Sequence, residues 1–254
     1  MARLRIHLLG PLVIQLDGES VDGLNWSRAR ALLAYLAVEA DRPHPRETLS
    51  GMLWPDQPER SARTNLRNAL SSLRKAIGDR ARSGDRVRSG DRDAVSPCLT
   101  VTRETIQFNA ASDCWVDVTA FERLASAVDA TADQLERAIA LYRAPFLEGF
   151  SMGDSPDLDD WALAVRERLE HQFSNALQAL AANYEQRGAY ARALRYRTAV
   201  GDTRAVARAG TPRANAPAGP EWAARSCPGP VRGLLPGAAR RARRRSERRY
   251  GAAL

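Results

Sequence analysis

One stretch, Trp54 to Asp79, restricts the fold more than any other. Trp54-Pro55 ends whatever precedes it, because proline removes a donor and cannot continue a helix. Asp56-Gln57-Pro58-Glu59 is a polar turn. From Ala62 onward, Ala62, Leu66, Leu70, Leu73 and Ile77 recur at helical spacing and form one apolar stripe. At about 100° per residue, Ser61, Thr64, Asn68, Ser71 and Lys75 fall on the opposite side, flanked by Arg60 and Arg67. From Ala62 no carboxylate follows until Asp79. A solvated face usually mixes Glu with Lys. This one offers cations and short hydrogen-bonding groups, a composition that can grip phosphates and approach base edges in a major groove. A surface helix that merely lacks acids would read the same way, so its neighbours must decide.

Those neighbours are legible. Leu4-Arg5-Ile6-His7-Leu8 alternates, Leu12–Leu16 follows after Gly10-Pro11, and Asp17-Gly18 is a tight-turn signal before Val21. This predicts a small antiparallel sheet. Ser27 is placed to cap a helix Arg28–Ala40, and Pro43 and Pro45 separate it from a second helix, Arg46–Leu53. Leu99–Thr102 and Thr105–Phe108 alternate around Arg103-Glu104, which predicts a β-hairpin. Sheet, three helices and hairpin is the order of a winged helix-turn-helix, whose second helix of the pair enters the major groove. We assign residues 1–109 to such a DNA-binding domain. Within it, residues 80–97 lack apolar pattern, repeat Arg82-Ser83-Gly84-Asp85-Arg86 as Arg88–Arg92, and are expected to be a disordered loop.

From Trp115 the pattern is helical throughout. Asp117 is expected to cap Val118–Val128, Ala132–Tyr142 follows, and a long helix runs from Trp161 to about Gln186, led by Pro156, Asp157, Asp159 and Asp160. Trp161, Tyr184 and Tyr190 are expected in its core. Residues 110–197 form this incomplete helical domain. Beyond it, residues 198–254 are rich in Ala, Gly, Pro and Arg, and the apolar period fades within a helix that opens at Tyr190. Two readings stay open for that tail, a genuine disordered basic segment or the product of a reading-frame shift. The fold class is therefore mainly α with small β-sheets, a winged helix followed by helix pairs and a tail.

Charge and composition exclude several functions. The net charge is +8, but residues 1–109 hold 17 basic against 13 acidic residues, residues 110–197 hold 9 against 14, and residues 198–254 hold 12 against 3. A nucleic-acid reading must rest on where charge sits, not on the total. Cys98, Cys114 and Cys227 fit neither a disulfide framework nor a zinc site, which suits a cytoplasmic setting. No apolar run is long enough to span a membrane, so no membrane partner is expected. His7, His44 and His171 share no metal-ligand spacing with Cys or carboxylate, and no phosphate-binding loop is present. Neither an enzyme, a cofactor nor a metal is expected.

The chain resembles the actinobacterial antibiotic regulatory protein (SARP) family, which joins an OmpR-type winged helix to a bacterial transcriptional activator domain of tetratricopeptide-like helix pairs. The residues that carry the resemblance are Arg28–Leu36, Leu53-Trp54-Pro55, Asn65-Leu66-Arg67 and Leu73-Arg74-Lys75. In the helical half they are Tyr142-Arg143, Phe146–Phe150, Trp161, Arg166-Glu167, and Ala182, Tyr184, Gly188, Tyr190 and Ala193. The resemblance covers residues 3–196. It implies activation of an antibiotic gene cluster through direct repeats in double-stranded DNA, a homodimer on that DNA, and contact with RNA polymerase. The expected DNA contacts are Arg60, Ser61, Thr64, Arg67, Asn68, Ser71, Lys75 and Arg103. Asp56, Gln57 and Glu59 are candidates for the polymerase contact. The alternatives are a helical adaptor that binds proteins only, or a truncated regulator without function.

Overall fold

The computed structural model describes residues 3–21, 27–79, 97–127 and 130–209, with side chains as far as 201. Two short sheets frame the first half. Strand β1 (Leu4–His7) runs antiparallel to β2 (Val13–Leu16), with Leu4 opposite Leu16 and Ile6 opposite Ile14. Leu4, Ile6 and Ile14 turn inward, as period-two alternation requires. Asp17 and Gly18, both at positive φ, turn the chain into β3 (Glu19–Ser20).

Helix α1 (Ser27–Val38) is buried nearly all round, with Leu32, Leu33 and Leu36 fully enclosed. A two-residue strand, β4 (His44–Pro45), leads into α2 (Arg46–Leu53). Helix α3 (Glu59–Ala76) follows the turn and buries Ala62, Leu66, Ala69, Leu70 and Leu73 on one face. The hairpin forms as expected from β5 (Leu99–Val101) and β6 (Thr105–Phe108), and β4 completes a three-stranded sheet in the order β4-β6-β5. The duplicated segment, 80–96, lies outside the described residues.

The second half departs from the sequence reading at its start. Trp115 lies not in a helix but in β7 (Cys114–Val116), which pairs parallel to β1 and closes the first sheet in the order β3-β2-β1-β7. Three residues are too few for alternation to declare a strand, and their partner lies more than a hundred positions away. This pairing also corrects the reading of Asp117. Its side chain does not cap α4 (Asp117–Ala125). It lies buried and accepts hydrogen bonds from the backbone N–H groups of Leu8 and Leu9 at 2.8–3.0 Å. The same strand brings Cys114 to Cys98, and the two are joined in a disulfide with Cα atoms 6.6 Å apart. Reading the cysteines as unpaired was therefore wrong for these two; Cys227 lies outside the described residues.

Helices α5 (Ala132–Leu141), α6 (Pro156–Gln186) and α7 (Tyr190–Ala209) pack in succession. Thr131 and Gln134 form a reciprocal capping box at the start of α5. Helix α7 continues to Ala209, past the boundary expected at 197–198. Arg and Ala are strong helix formers, and Ala193 and Val200 give α7 a buried face, so the helix outlasts the apolar period that the sequence shows. Tyr184 is buried as expected, Trp161 partly so, but Tyr190 is 71% exposed at the first position of α7.

A single apolar core runs through both halves. It begins at Leu4, passes through α1 and α3, and continues to Phe146, Leu158 and Leu169. Each fully buried Leu adds about 2 kcal/mol against exposure, so the halves are joined by the same force that folds each of them.

Candidate nucleic-acid interface

Burying the apolar stripe of α3 turns the opposite face outward. Arg60, Ser61, Thr64, Arg67, Asn68, Ser71 and Lys75 are all exposed along it. Thr64 Oγ1 donates to the carbonyl of Arg60 at 2.9 Å, so its remaining capacity toward a ligand is as an acceptor. Arg60 and Arg67 have no ion pair among the described residues. A shallow groove at this end of the helix is lined by Glu59, Arg60, Arg63, Thr64 and Arg67.

The turn before α3 is exposed at Asp56 and Gln57. Gln57 accepts a short hydrogen bond from Asn65, which fixes the turn to the helix. Glu59, grouped with the turn in the sequence reading, belongs to the first turn of α3. There it forms an ion pair with Arg63, four residues on.

The far end of α3 is tied to the hairpin. Gly78 takes φ +67°, with Arg3 packed where a side chain would stand, and so admits only glycine without strain. Asp79 is buried, accepts a hydrogen bond from the backbone of Leu99 at 3.2 Å, and lies 3.8 Å from Arg74. Arg103 is exposed at the hairpin tip. Thr102 shapes that tip: its hydroxyl accepts from the N–H groups of Glu104 and Thr105. The Arg46 N–H donates to Glu104 at 2.8 Å, so the tip is anchored to the start of α2.

Sequence reasoning missed three residues here. Arg46 is lowered by burial and by the nearby Arg67 guanidinium, and its Nε has no hydrogen-bond partner among the described residues. Two crowded cations gain most from an anion that neutralises both. The second is Arg63, which the helical projection puts beside Arg67. The third is Glu47, 3.5 Å from Arg63, which tertiary packing brings to a face that carries no acid of its own after Glu59. Only the last lacked any sequence signal; the two arginines adjoin readable elements.

The family model for the bacterial transcriptional activator domain matches residues 116–208. The chain carries a bacterial transcriptional activator domain. This match bears out the resemblance to SARP-type activators, and it runs past residue 197 to residue 208, within α7. The transcriptional regulatory protein EmbR of Mycobacterium bovis is 37% identical over 76 residues, 30% of this chain and 19% of that one. EmbR of Mycobacterium tuberculosis matches equally. The aligned stretch thus spans about a fifth of these curated relatives. A solved structure of Mycobacterium tuberculosis EmbR, in complex with a low affinity phosphopeptide, is similar at TM-score 0.48 and 20% identity, over 79% of this chain and 59% of that chain.

The activator domain grips the first half of the chain at several points. Ser155 Oγ donates to the carbonyl of Leu53, the last residue of α2. Asp154 pairs with Arg28, which also stacks on Trp54 with its guanidinium carbon 5.5 Å from the ring centroid. Trp161 of α6 donates its indole N–H to Glu39 at 3.1 Å and packs its ring 4.9 Å from Tyr35. Leu147, at φ +50°, donates its N–H to Leu8. These contacts reach both helices that support α3.

Proposed function

We propose that the chain is a sequence-specific DNA-binding transcriptional regulator that activates an antibiotic gene cluster from promoter direct repeats. The observation that carries this reading is the outward row on α3: cations and short polar groups on a helix, with no ion pair at Arg60 or Arg67 among the described residues. In this reading Arg60, Arg67 and Lys75, joined by Arg46, hold phosphates. Ser61, Thr64, Asn68 and Ser71 approach base edges, and Arg103 meets the backbone or minor groove at the wing. Two protomers, each with its own activator domain, occupy the two repeats as a homodimer in the cytoplasm. Asp56, Gln57 and Glu59 lie exposed beside the reader, where RNA polymerase could be touched.

Footprinting of the full chain on its own upstream region tests this. Protection should appear over direct repeats and weaken with salt. Four phosphate contacts give a log–log slope of about −3.5. No protection at roughly physiological salt sinks the proposal. The exposed Leu163, Tyr190 and Leu194 favour protein contact as a second activity of the helical half. A protein-only adaptor would show no salt slope because it would not hold DNA.

A further inference from the structure

The disulfide between Cys98 and Cys114 sits where the two halves of the sequence meet. Cys98 immediately precedes β5 and Cys114 opens β7, so the bond closes a loop that holds the whole hairpin and the turn after it. Each end of that loop is fixed to a different part of the fold. Leu99, next to Cys98, is held to the end of α3 through the Asp79 carboxylate, and Cys114 lies opposite Leu4 in the first sheet. The disulfide therefore joins the end of α3 to the strand that leads into the activator domain.

The two sulfurs differ in access. Cys98 is buried, whereas Cys114 is half-buried on β7, an edge strand of its sheet. A thiol from solution reaches Cys114 first. Ser112 Oγ lies 3.1 Å from Cys114 Sγ and gives its one proton to the carbonyl of Asn109 at 2.6 Å. A hydroxyl rotates, so the same proton can turn to a thiolate formed at Cys114, and a stabilised thiolate leaves more readily. In the cytoplasmic setting proposed above, disulfides are characteristically transient or redox-sensing, because thiols there keep accessible bonds reduced.

We propose that Cys98 and Cys114 form a reversible thiol–disulfide switch that fixes the hairpin when oxidised and releases it when reduced. The co-reactant is a small thiol and its disulfide. Its thiolate attacks Cys114 Sγ and forms a mixed disulfide, while the Cys98 sulfur leaves with the bonding electron pair and takes up a proton. A second small thiolate attacks the outer sulfur of the mixed disulfide, and Cys114 leaves and is protonated in turn. Two small thiols thus become one disulfide, and the protein pair gains their two electrons and two protons. The effect on DNA rests on the DNA-binding reading above: a released hairpin no longer holds Arg103 in place beside the duplex.

The test uses the full chain carrying Cys227→Ser, which leaves this pair as the only cysteines. The protein is equilibrated in glutathione buffers from fully oxidised to fully reduced, and free thiols are counted by alkylation and mass spectrometry. Both thiols should appear together within that range and pair again when the buffer is reversed. Reduction should speed hydrogen exchange of the hairpin amides, 99–108, by about tenfold while α1 keeps its protection. Reduced protein should bind the duplex that it protects in footprinting about fivefold more weakly than oxidised protein. Cys98→Ala with Cys114→Ala should behave like the reduced protein in every buffer, with circular dichroism confirming that it is folded. A pair that stays oxidised throughout is a permanent crosslink, and a pair that never oxidises is no switch; either result overturns the proposal. Hairpin exchange that ignores reduction, or equal duplex affinity of the two forms, overturns it too. If the thiols titrate and the hairpin loosens but neither form holds DNA, the switch stands and the DNA-binding reading falls.

Discussion

In α3, Arg60 and Arg67 stand exposed with no ion pair among the described residues, whereas in α7 Arg192 and Arg197 close onto neighbours. Arg192 lies over the Tyr184 ring and donates to its hydroxyl, and Arg197 pairs with Glu185 at 3.0 Å. Both helices are long and arginine-bearing, and a count of basic residues would rank them alike. What separates them is partnership. In α7 the α6 helix supplies a phenol and a carboxylate, so the cations serve the packing of a helix pair. In α3, Arg60 and Arg67 make no ion pair among the described residues, so their charge stays available to a ligand. The helical half is acidic in total, yet its arginines would say nothing about nucleic acid even if it were not.

The comparison assumes two halves that share one core, and the strongest attempt to break it is Asp117→Ala. That change leaves the buried N–H groups of Leu8 and Leu9 without their acceptor and should cost about 3 kcal/mol. Urea unfolding should lose stability in one transition, with the same midpoint by tryptophan fluorescence and far-UV circular dichroism. Two separated transitions would show independent halves. Next in size, Arg60→Ala with Arg67→Ala should lower DNA affinity by about 2 kcal/mol and flatten the salt slope by about 2. Arg192→Ala with Arg197→Ala should leave both unchanged, and fluorescence anisotropy over a salt series measures the pair. Equal losses in the two double variants would erase the distinction between α3 and α7. Ser155→Ala removes the hydrogen bond to Leu53 and should cost about 1 kcal/mol of stability. The smallest effect concerns pH. Burial, then Arg143, holds the His7 pKa below its ordinary 6.5, against the opposing pull of Asp117. The folded chain therefore prefers the neutral ring. Its contribution is complete above pH 6.5 and is lost as pH falls from there through the lowered value. Urea midpoints at pH 7.5 and 5.5 should differ less in His7→Gln than in wild type.

Much of this architecture was readable because it is local. Helix α2 matches its expected span of Arg46–Leu53 residue for residue, since prolines and Trp54 mark both ends. The stripe Ala62, Leu66, Leu70 and Leu73 fixes which side of α3 faces outward without reference to anything distant. Two failures came from long-range pairing. Strand β7 exists because β1 lies beside it, and Asp117 is an acceptor for Leu8 and Leu9 for the same reason. Arg63 shows a third kind of limit. Its place on the helix was computable, but the Glu47 that engages it sits on another helix. Tyr190 failed differently: it was expected in the core with Trp161 and Tyr184, but the side chain stands exposed at the start of α7.

One carboxylate has a consequence for how this chain can change. Asp79 holds Leu99 by its backbone N–H and keeps Arg74 close, so the end of α3 and the start of the hairpin are joined across the stretch between them. The placement of the hairpin against α3 is therefore set at that junction. The duplicated Arg-Ser-Gly-Asp-Arg unit lies between the two ends that this junction joins. A substitution that breaks the junction, Asp79→Ala, should therefore disturb DNA selection more than a peptide inserted between the two copies of the unit, as a duplex-binding assay on both variants would show.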